Sequence, residues 1–360
     1  LLQKSQKLFL GRGFVRFGHV PALLNASAPS QCPDVAPYPR PWHSAPVRIE
    51  LINTGSELLH GRVLNTHQEW LGQQLVAAGY ELNHQQTVSD TGAAIQAAVS
   101  EEIARSELVI VTGGLGPTSD DITRQRIAEL LDTPLEEHAR TRDRIIAIFR
   151  KLKRPMPEAV LVQAQVPAGA IVLPNHHGTA PGLAMRTLKG WLIMLPGPPR
   201  ELRPMYTNSV APLLAEKMPP KSPIHIRTLK TMGIGESSVE ERISNPLGDL
   251  LDAGLEIGYC ARVGEVDVRL VAHGDGADKI LDRAESIVQD HVGDYIYGRG
   301  DDQLEEVMVR ELKKRGMTLV VAESCTGGFL SHRITNISGA SAVFLAGYCT
   351  YSNEAKQDTL

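Results

Sequence analysis

Leu108-Val-Ile-Val-Thr-Gly-Gly-Leu-Gly-Pro-Thr-Ser-Asp-Asp121 is the stretch that most narrows the fold. Its first residues, apolar or β-branched, suit a strand buried on both faces. The glycines allow positive φ and clear side chains where the backbone turns tightly or approaches a ligand. Ser119 or Asp120 is the expected N-cap of a helix running through Ile122, Ile127 and Leu130. Strand, glycine turn and helix start, in that order, make up half of a βαβ unit.

The same alternation extends in both directions. Val47–Thr54 reads as a buried strand stopped by Gly55. Asn65 can cap a helix with apolar positions Trp70, Leu71, Leu75 and Val76, closed by Gly79. A strand over Leu82–Val88 and a helix over Thr91–Arg105 lead into Leu108–Thr112. After a helix at Arg142–Lys151, Gly182–Arg186 and Trp191–Leu195 read as two more strands. This order predicts right-handed βαβ units and a parallel sheet in a first domain over 47–218.

Met218-Pro-Pro-Lys-Ser-Pro223 has linker composition. A small α+β module is expected over 219–300, with strands at Ile224–Thr231, Leu255–Tyr259 and Glu265–Ala272 and a helix from Ala277 to His291. A partial α/β unit over 301–360 opens with helix Gln303–Arg315 and strand Met317–Ala322, and is expected to be incomplete at Leu360. Residues 1–46 differ in kind: they carry seven of the 23 prolines, five basic residues and one acid. They read as a disordered or non-native extension, with an organelle transit peptide as the alternative.

Charge and composition exclude several functions. Removing the tail leaves 32 basic and 40 acidic residues, a net charge of −8, which speaks against direct nucleic-acid binding. The longest apolar runs fall far short of the roughly 20 residues of a membrane span. Cys32, Cys260, Cys325 and Cys349 are widely spaced, which excludes a cysteine zinc site or disulfide scaffold and fits a cytoplasmic protein.

Two sites stand out. At the first, Thr112, Gly113, Gly114, Gly116 and Thr118 would present backbone and hydroxyl groups to an anion, with the helix dipole behind them. Asp120 and Asp121 at the same rim suit a divalent cation that neutralises bound phosphate. A tight turn with an Asp cap would explain the same residues without a ligand. Glu57 follows the first strand; Asn175, Gly178 and Thr179 lie in a small-residue loop; Glu201 opens a helix after Pro196-Gly-Pro-Pro. Glu201 suits a metal, or equally the helix dipole. His176 and His177 lack the i, i+4 spacing of a zinc pair. At the second site, Ala322-Glu-Ser-Cys-Thr-Gly-Gly328 follows a strand, and Tyr351 and Lys356 lie downstream. A serine at a strand-to-helix turn beside a lysine of lowered pKa can act as a nucleophile; a solvated lysine beside a plain turn is the alternative.

TGGLGPTSDD, preceded by INTGSELLHG and followed by NHHGTAPG and MLPGPPREL, resembles the CinA family (competence/damage-inducible protein A) over about 47–360. The resemblance implies a three-layer MoaB/MogA-like domain of the molybdopterin-binding fold, a KH-like middle domain and a C-terminal nicotinamide-nucleotide amidohydrolase domain. It implies hydrolysis of ADP-ribose with a divalent metal such as Mg2+ on Asp120, Asp121 and Glu201, and potassium as an auxiliary ion. It departs at Asn175-His-His, where the family more often has a hydrophobic pair after Asn. AESCTGG and YSNEAK resemble the amidohydrolase domain that converts nicotinamide mononucleotide to nicotinate mononucleotide. On that carry-over Ser324 is the nucleophile, Lys356 the general base and Tyr351 a proton relay. Thr326, Gly327 and Gly328 line the pocket. Cys325 is a rival nucleophile without a histidine partner motif. Little deamidase activity is expected of an incomplete domain. Gly233-Ile-Gly-Glu236 is not a nucleic-acid GXXG clamp, so a spacer or dimer role is expected of the middle domain; nucleotide substrates are the partners the resemblance implies, in a homodimer. Molybdopterin adenylylation, or a non-enzymatic competence or DNA-damage partner, are the alternative functions.

Overall fold

The computed structural model describes residues 47–220 and 222–359. Residues 1–40 form a separate unit, of which the antiparallel pairing of Phe9–Leu10 with Gly13–Phe14 is described. The expected disorder of 1–46 otherwise falls outside the described residues.

In the first domain, the parallel strands β1 (Ile49–Thr54), β2 (Leu82–Val88), β3 (Leu108–Thr112) and β8 (Trp191–Leu195) form most of a six-stranded sheet. Its order is β2-β1-β3-β8-β7-β6, completed by β7 (Gly182–Arg186) and β6 (Ile171–Leu173). β7 pairs antiparallel with both β8 and β6, so the sheet is parallel-rich, as expected, with β7 as its one reversed strand. β6 is only three residues long, too short for a periodic signal. Between the strands lie α1 (Ser56–Leu59), α2 (Thr66–Ala77), α3 (Gly92–Arg105), α4 (Thr123–Leu130), β4 (Leu135–Glu137), α5 (Ala139–Leu152) and β5 (Gln165–Pro167). β4 pairs with β5 in a small sheet of its own. The domain closes with α6 (Pro199–Met205) and α7 (Ala211–Lys217).

β1, β3 and β8 are buried along their whole length, and alternate residues feed two cores. Ile49, Leu51, Leu108, Ile110 and Ile193 face Leu71 and Leu75 of α2 and Leu202 of α6. Ile52, Val109, Val111 and Leu192 face Ile95 and Val99 of α3 and Ile127 of α4. Each such side chain contributes about 1.5–3 kcal/mol by leaving water. The outcome is a helix–sheet–helix sandwich in which every parallel strand ends at the same edge. Asn65 caps α2 as expected, its Oδ1 accepting from the N–H groups of His67 and Gln68.

Beyond the linker, β9 (Ile224–Met232), β10 (Glu256–Arg262), β11 (Glu265–His273) and β12 (Ile296–Arg299) form an antiparallel sheet in the order β10-β11-β9-β12. It packs against α8 (Glu236–Ile243), α9 (Gly248–Asp252) and α10 (Ala277–Val292). The linker is pinned at both ends: the Tyr80 hydroxyl donates to Met218 O at 2.9 Å, and Ile224 N–H donates to Gly79 O at 3.3 Å. The last unit holds α11 (Leu304–Lys314), β13 (Leu319–Glu323), α12 (Phe329–Thr335), β14 (Phe344–Cys349) and α13 (Asn353–Thr359), with β13 and β14 parallel. Among the described residues no helix is long and apolar enough to cross a membrane.

Candidate active site

A cavity of about 360 Å³ opens where β1, β2, β3 and β8 end, where ligands collect in open α/β sheets. Glu57, Gly113, Gly114, Gly116, Asp120, Asp121, Thr179 and Glu201 all line it. Segments more than a hundred residues apart in sequence therefore meet in one place. Asp90 and Gln163 line it too, and sequence reasoning missed both. Asp90 follows β2, so strand-end logic would have reached it. Gln163 sits in a 3-10 turn, Glu158–Ala164, that carries no periodic signal.

The glycine loop is held from behind. Gly113 (φ +99°) leaves no room for a Cβ, which would fall 2.8 Å from Thr54 O; at Gly114 (φ +66°) a Cβ would collide with Thr123 Oγ1. Gly113 N–H donates to Leu195 O at 2.9 Å. The loop N–H groups of Gly114, Leu115 and Gly116 donate to no protein acceptor among the described residues and are the ones available to an anion.

The acids are arranged differently from the sequence expectation. α4 begins at Thr123 with Ile122 at the N-cap, so neither Ser119 nor Asp120 caps it. Thr118 draws both carboxylates into a tight turn instead: its hydroxyl lies 2.5 Å from Asp120 Oδ1 and 2.5 Å from Asp121 Oδ2, and its N–H donates to Asp121 Oδ2 at 3.0 Å. The Thr118 hydroxyl, with its one proton, pulls the Asp120 pKa below the usual carboxylate range. Thr118 itself is a brace and does not line the cavity.

Three further assignments change. Thr112 is buried, and its hydroxyl donates to Asn53 Oδ1 at 2.9 Å, beneath the floor. Asn175 Nδ2 donates to Ala180 O and to Glu201 Oε2, both at 2.7 Å, while its Oδ1 accepts from the N–H groups of His177 and Gly178. All four positions of that amide are used, so Asn175 supports the site without binding substrate. Gly178 makes room for Glu201, whose carboxylate a Cβ there would strike. His67 Nε2 sits 2.5 Å from Gly197 O and holds the loop after β8. Burial lowers the His67 pKa, opposed by the hydrogen bond to the Gly197 carbonyl.

Among the described residues, the one set of three metal-ligating atoms within 4.8 Å of one another is Glu50, His84 and Glu102, away from the cavity. Asp120, Asp121 and Glu201 do not form such a set. Their oxygens are engaged by Thr118 and by the Asn175 amide.

In the last unit, β13 and β14 run parallel, with Glu323 opposite Cys349, so Ser324 and Tyr351 leave the sheet at the same edge. Lys356 lies on α13 and is half-buried, and Tyr351 is 78% exposed. No side-chain hydrogen bond joins Ser324, Tyr351 or Lys356 to any group among the described residues. Thr326, Gly327 and Gly328 form the turn into α12. Glu323, which sequence reasoning passed over, accepts from the N–H groups of Leu330 and Ser331 at 2.8 and 2.9 Å and so satisfies the first turn of α12. Cys325 is exposed and is not in a disulfide.

The fold and the glycine-loop cavity define the class: residues 50–216 match the family described as "Probable molybdopterin binding domain". Residues 226–298 match "Damage-inducible protein CinA KH domain", and residues 301–360 match "CinA C-terminal domain". The CinA-like protein of Akkermansia muciniphila is 41% identical over 316 residues, covering 87% of this chain and 74% of that protein. A "competence-damage inducible protein" of Caldicellulosiruptor saccharolyticus is 43% identical over 310 residues, 85% of this chain and 74% of its own. The solved CinA structure from Thermoplasma acidophilum is 28% identical over 46% of this chain and 98% of that one, with a TM-score of 0.43. The chain belongs to the CinA family.

Proposed function

We propose that the first domain is a metal-dependent hydrolase of nucleotide pyrophosphates, with ADP-ribose as substrate and AMP and ribose 5-phosphate as products. One observation carries this reading. The cavity presents unpaired loop N–H groups beside the carboxylates of Glu57, Asp90, Asp120, Asp121 and Glu201, and no Lys, Arg or His lines it. Loop amides suit phosphate oxygens, yet five carboxylates repel them. A divalent cation reconciles the two, and an all-oxygen donor set suits Mg2+ or Mn2+. Such an ion would supply charge neutralisation at the scissile pyrophosphate. Asp120 and Asp121 would hold it, with Glu201 kept at the rim by Asn175, while the Gly114–Gly116 amides orient the phosphates.

In the C-terminal unit, the shared strand edge supports Ser324 as nucleophile and Lys356 as base in deamidation of nicotinamide mononucleotide. Ammonia release by a chimera that continues residues 301–360 with the rest of a relative's C-terminal domain, and its loss in Ser324→Ala, tests that part.

A second reading is adenylylation of molybdopterin, favoured by the description of the family matched at 50–216. Incubation with ADP-ribose and Mg2+, Mn2+ or Co2+, against molybdopterin and ATP, separates the two. Metal-dependent AMP release abolished by EDTA is expected. Adenylylated molybdopterin without ADP-ribose turnover would replace the first reading by the second.

A further inference from the structure

At the far end of β1 from the cavity, two carboxylates are enclosed by the protein. Glu50, near the start of β1, and Glu102, on α3, are both 0% exposed. Strand alternation puts Glu50 on the sheet face of Ile52, the face covered by α3. His84 is its neighbour on β2. His84 Nδ1 lies 3.0 Å from Glu50 Oε2 and 3.4 Å from Glu102 Oε1.

Each oxygen can be accounted for. Glu50 Oε1 accepts from Arg48 Nε at 2.8 Å, with Arg105 Nε at 3.8 Å. Glu102 Oε1 accepts from Gln86 Nε2 and Arg105 Nη2, and Glu102 Oε2 accepts from Arg105 Nε. Glu50 Oε2 is buried and has no hydrogen-bond donor. A buried carboxylate oxygen without a donor is costly. What faces it is an imidazole nitrogen that, when neutral and unprotonated at Nδ1, offers only another lone pair. Either a hydrogen on Nδ1, which the neutral tautomer can carry, or a cation is needed between them.

A proton on Nδ1 would serve, and so would a metal ion. The spacing suits the metal: ligands about 2.0–2.1 Å from a tetrahedral ion lie roughly 3.3 Å apart, close to both separations seen here. One imidazole nitrogen with two carboxylate oxygens is a zinc-class donor set, whereas Ca2+ and Mg2+ prefer oxygen alone. Arg48 and Arg105 orient the carboxylates, as outer partners do around metal ligands, and Gln86 would release Glu102 Oε1 to free the lone pair that a metal takes. The His84 side chain, 48% exposed, leaves a path for entry and room for a water as fourth ligand.

We propose that Glu50, His84 and Glu102 bind one divalent transition-metal ion of the zinc class, in a structural site that ties β1, β2 and α3 together away from the nucleotide cavity. The site stands independently of the reaction carried out there.

Co2+ titration of the full chain tests it, read by the visible ligand-field band and by a hyperfine-shifted imidazole N–H resonance. No histidine lines the cavity, so an imidazole signal reports this site even if Co2+ also enters the cavity. About one equivalent of imidazole-ligated Co2+ per chain is expected. His84→Gln should lose the resonance and one equivalent of binding, while Asp120→Asn should keep both. His84→Cys should retain the ion and add a thiolate-to-cobalt charge-transfer band, which keeps the test valid if His84→Gln folds poorly. A wild-type protein without the shifted resonance under saturating Co2+, or a His84→Cys protein without the charge-transfer band, would overturn the proposal and leave a hydrogen bond from His84 Nδ1 to Glu50 in its place.

Discussion

Asn175 Nδ2 donates to Glu201 Oε2 at 2.7 Å and joins two loops that are far apart in the sequence. The loop after β6 thereby fixes the carboxylate that opens α6. Asn175→Ala removes that donor and the Oδ1 acceptor of two loop N–H groups. It should cost about 1–3 kcal/mol, as expected when buried groups lose their partners, and should lower ADP-ribose turnover through Glu201. Denaturant midpoints and turnover rates, measured on the same preparation, check both effects.

The two neighbouring aspartates should behave differently. Asp120 is exposed and bonds only the Thr118 side chain, whereas Asp121 also accepts the Thr118 N–H and so braces the turn. Asp120→Ala and Asp121→Ala should each reduce metal-dependent hydrolysis by roughly 10²-fold or more. Only Asp121→Ala should also lower the melting temperature. Unchanged turnover of Asp120→Ala under saturating Mn2+ would remove that residue from the site.

Glycines around the cavity are not equivalent. A Cβ at Gly114 would collide with Thr123 Oγ1 in a positive-φ conformation, while a Cβ at Gly197 meets nothing closer than Gly113 Cα at 3.6 Å. Gly114→Ala should abolish nucleotide binding and destabilise the domain, and Gly197→Ala should be nearly silent. Isothermal titration with ADP-ribose distinguishes them.

Arg124 is completely buried behind the loop, where its Nη1 reaches Leu115 O at 3.3 Å and its Nε and Nη2 have no acceptor. Burial pulls its pKa down to about 10, against the pull of Asp121, so it stays charged at neutral pH. An unpaired buried charge destabilises the empty protein but favours an anion on the other side of the loop. Arg124→Met should therefore stabilise the ligand-free protein, by on the order of 1–3 kcal/mol, while raising KM for ADP-ribose more than it lowers kcat. Thermal melts and steady-state kinetics check the two halves of this trade.

Glu323 sets an acid limit on the last unit. Burial acts to raise its pKa, but the Ser331 hydroxyl and the N–H groups of Ser331 and Leu330 prevail and hold it at about 2. The folded value lies below the unfolded one of about 4.3. The stabilisation is therefore complete above that value and is lost as pH falls toward 2. Glu323→Gln should weaken hydrogen-exchange protection of α12 at neutral pH and flatten its dependence across that acid window.

Much of this was legible in the sequence, for identifiable reasons. A strand buried on both faces must be apolar throughout, as Leu108–Thr112 and Trp191–Leu195 are, and glycines mark the turns where side chains cannot fit. Residue-level roles were less legible. Asp120 and Asp121 suit a helix start by composition, yet the Thr118 hydroxyl competes for both and delays the helix to Thr123. Asn175 gives no sign in the sequence that all its hydrogen bonds are internal, since its partners lie as far away as Glu201. Ile171–Leu173 and Ile296–Arg299 are too short to show a period, and the approach of His84 to Glu102 depends on strand register and helix phase together.

The pinned linker has a mechanical consequence. Met218 and Ile224 are tied to consecutive residues, Tyr80 and Gly79, so the chain leaves and re-enters at one spot on the turn between α2 and β2. Five residues could span roughly 17 Å if extended, but here the flanking residues are held to neighbouring positions of one turn. That arrangement ties the second module to the first domain at one point and gives it little reach. Lengthening the segment without breaking the two hydrogen bonds would leave that point of attachment where it is.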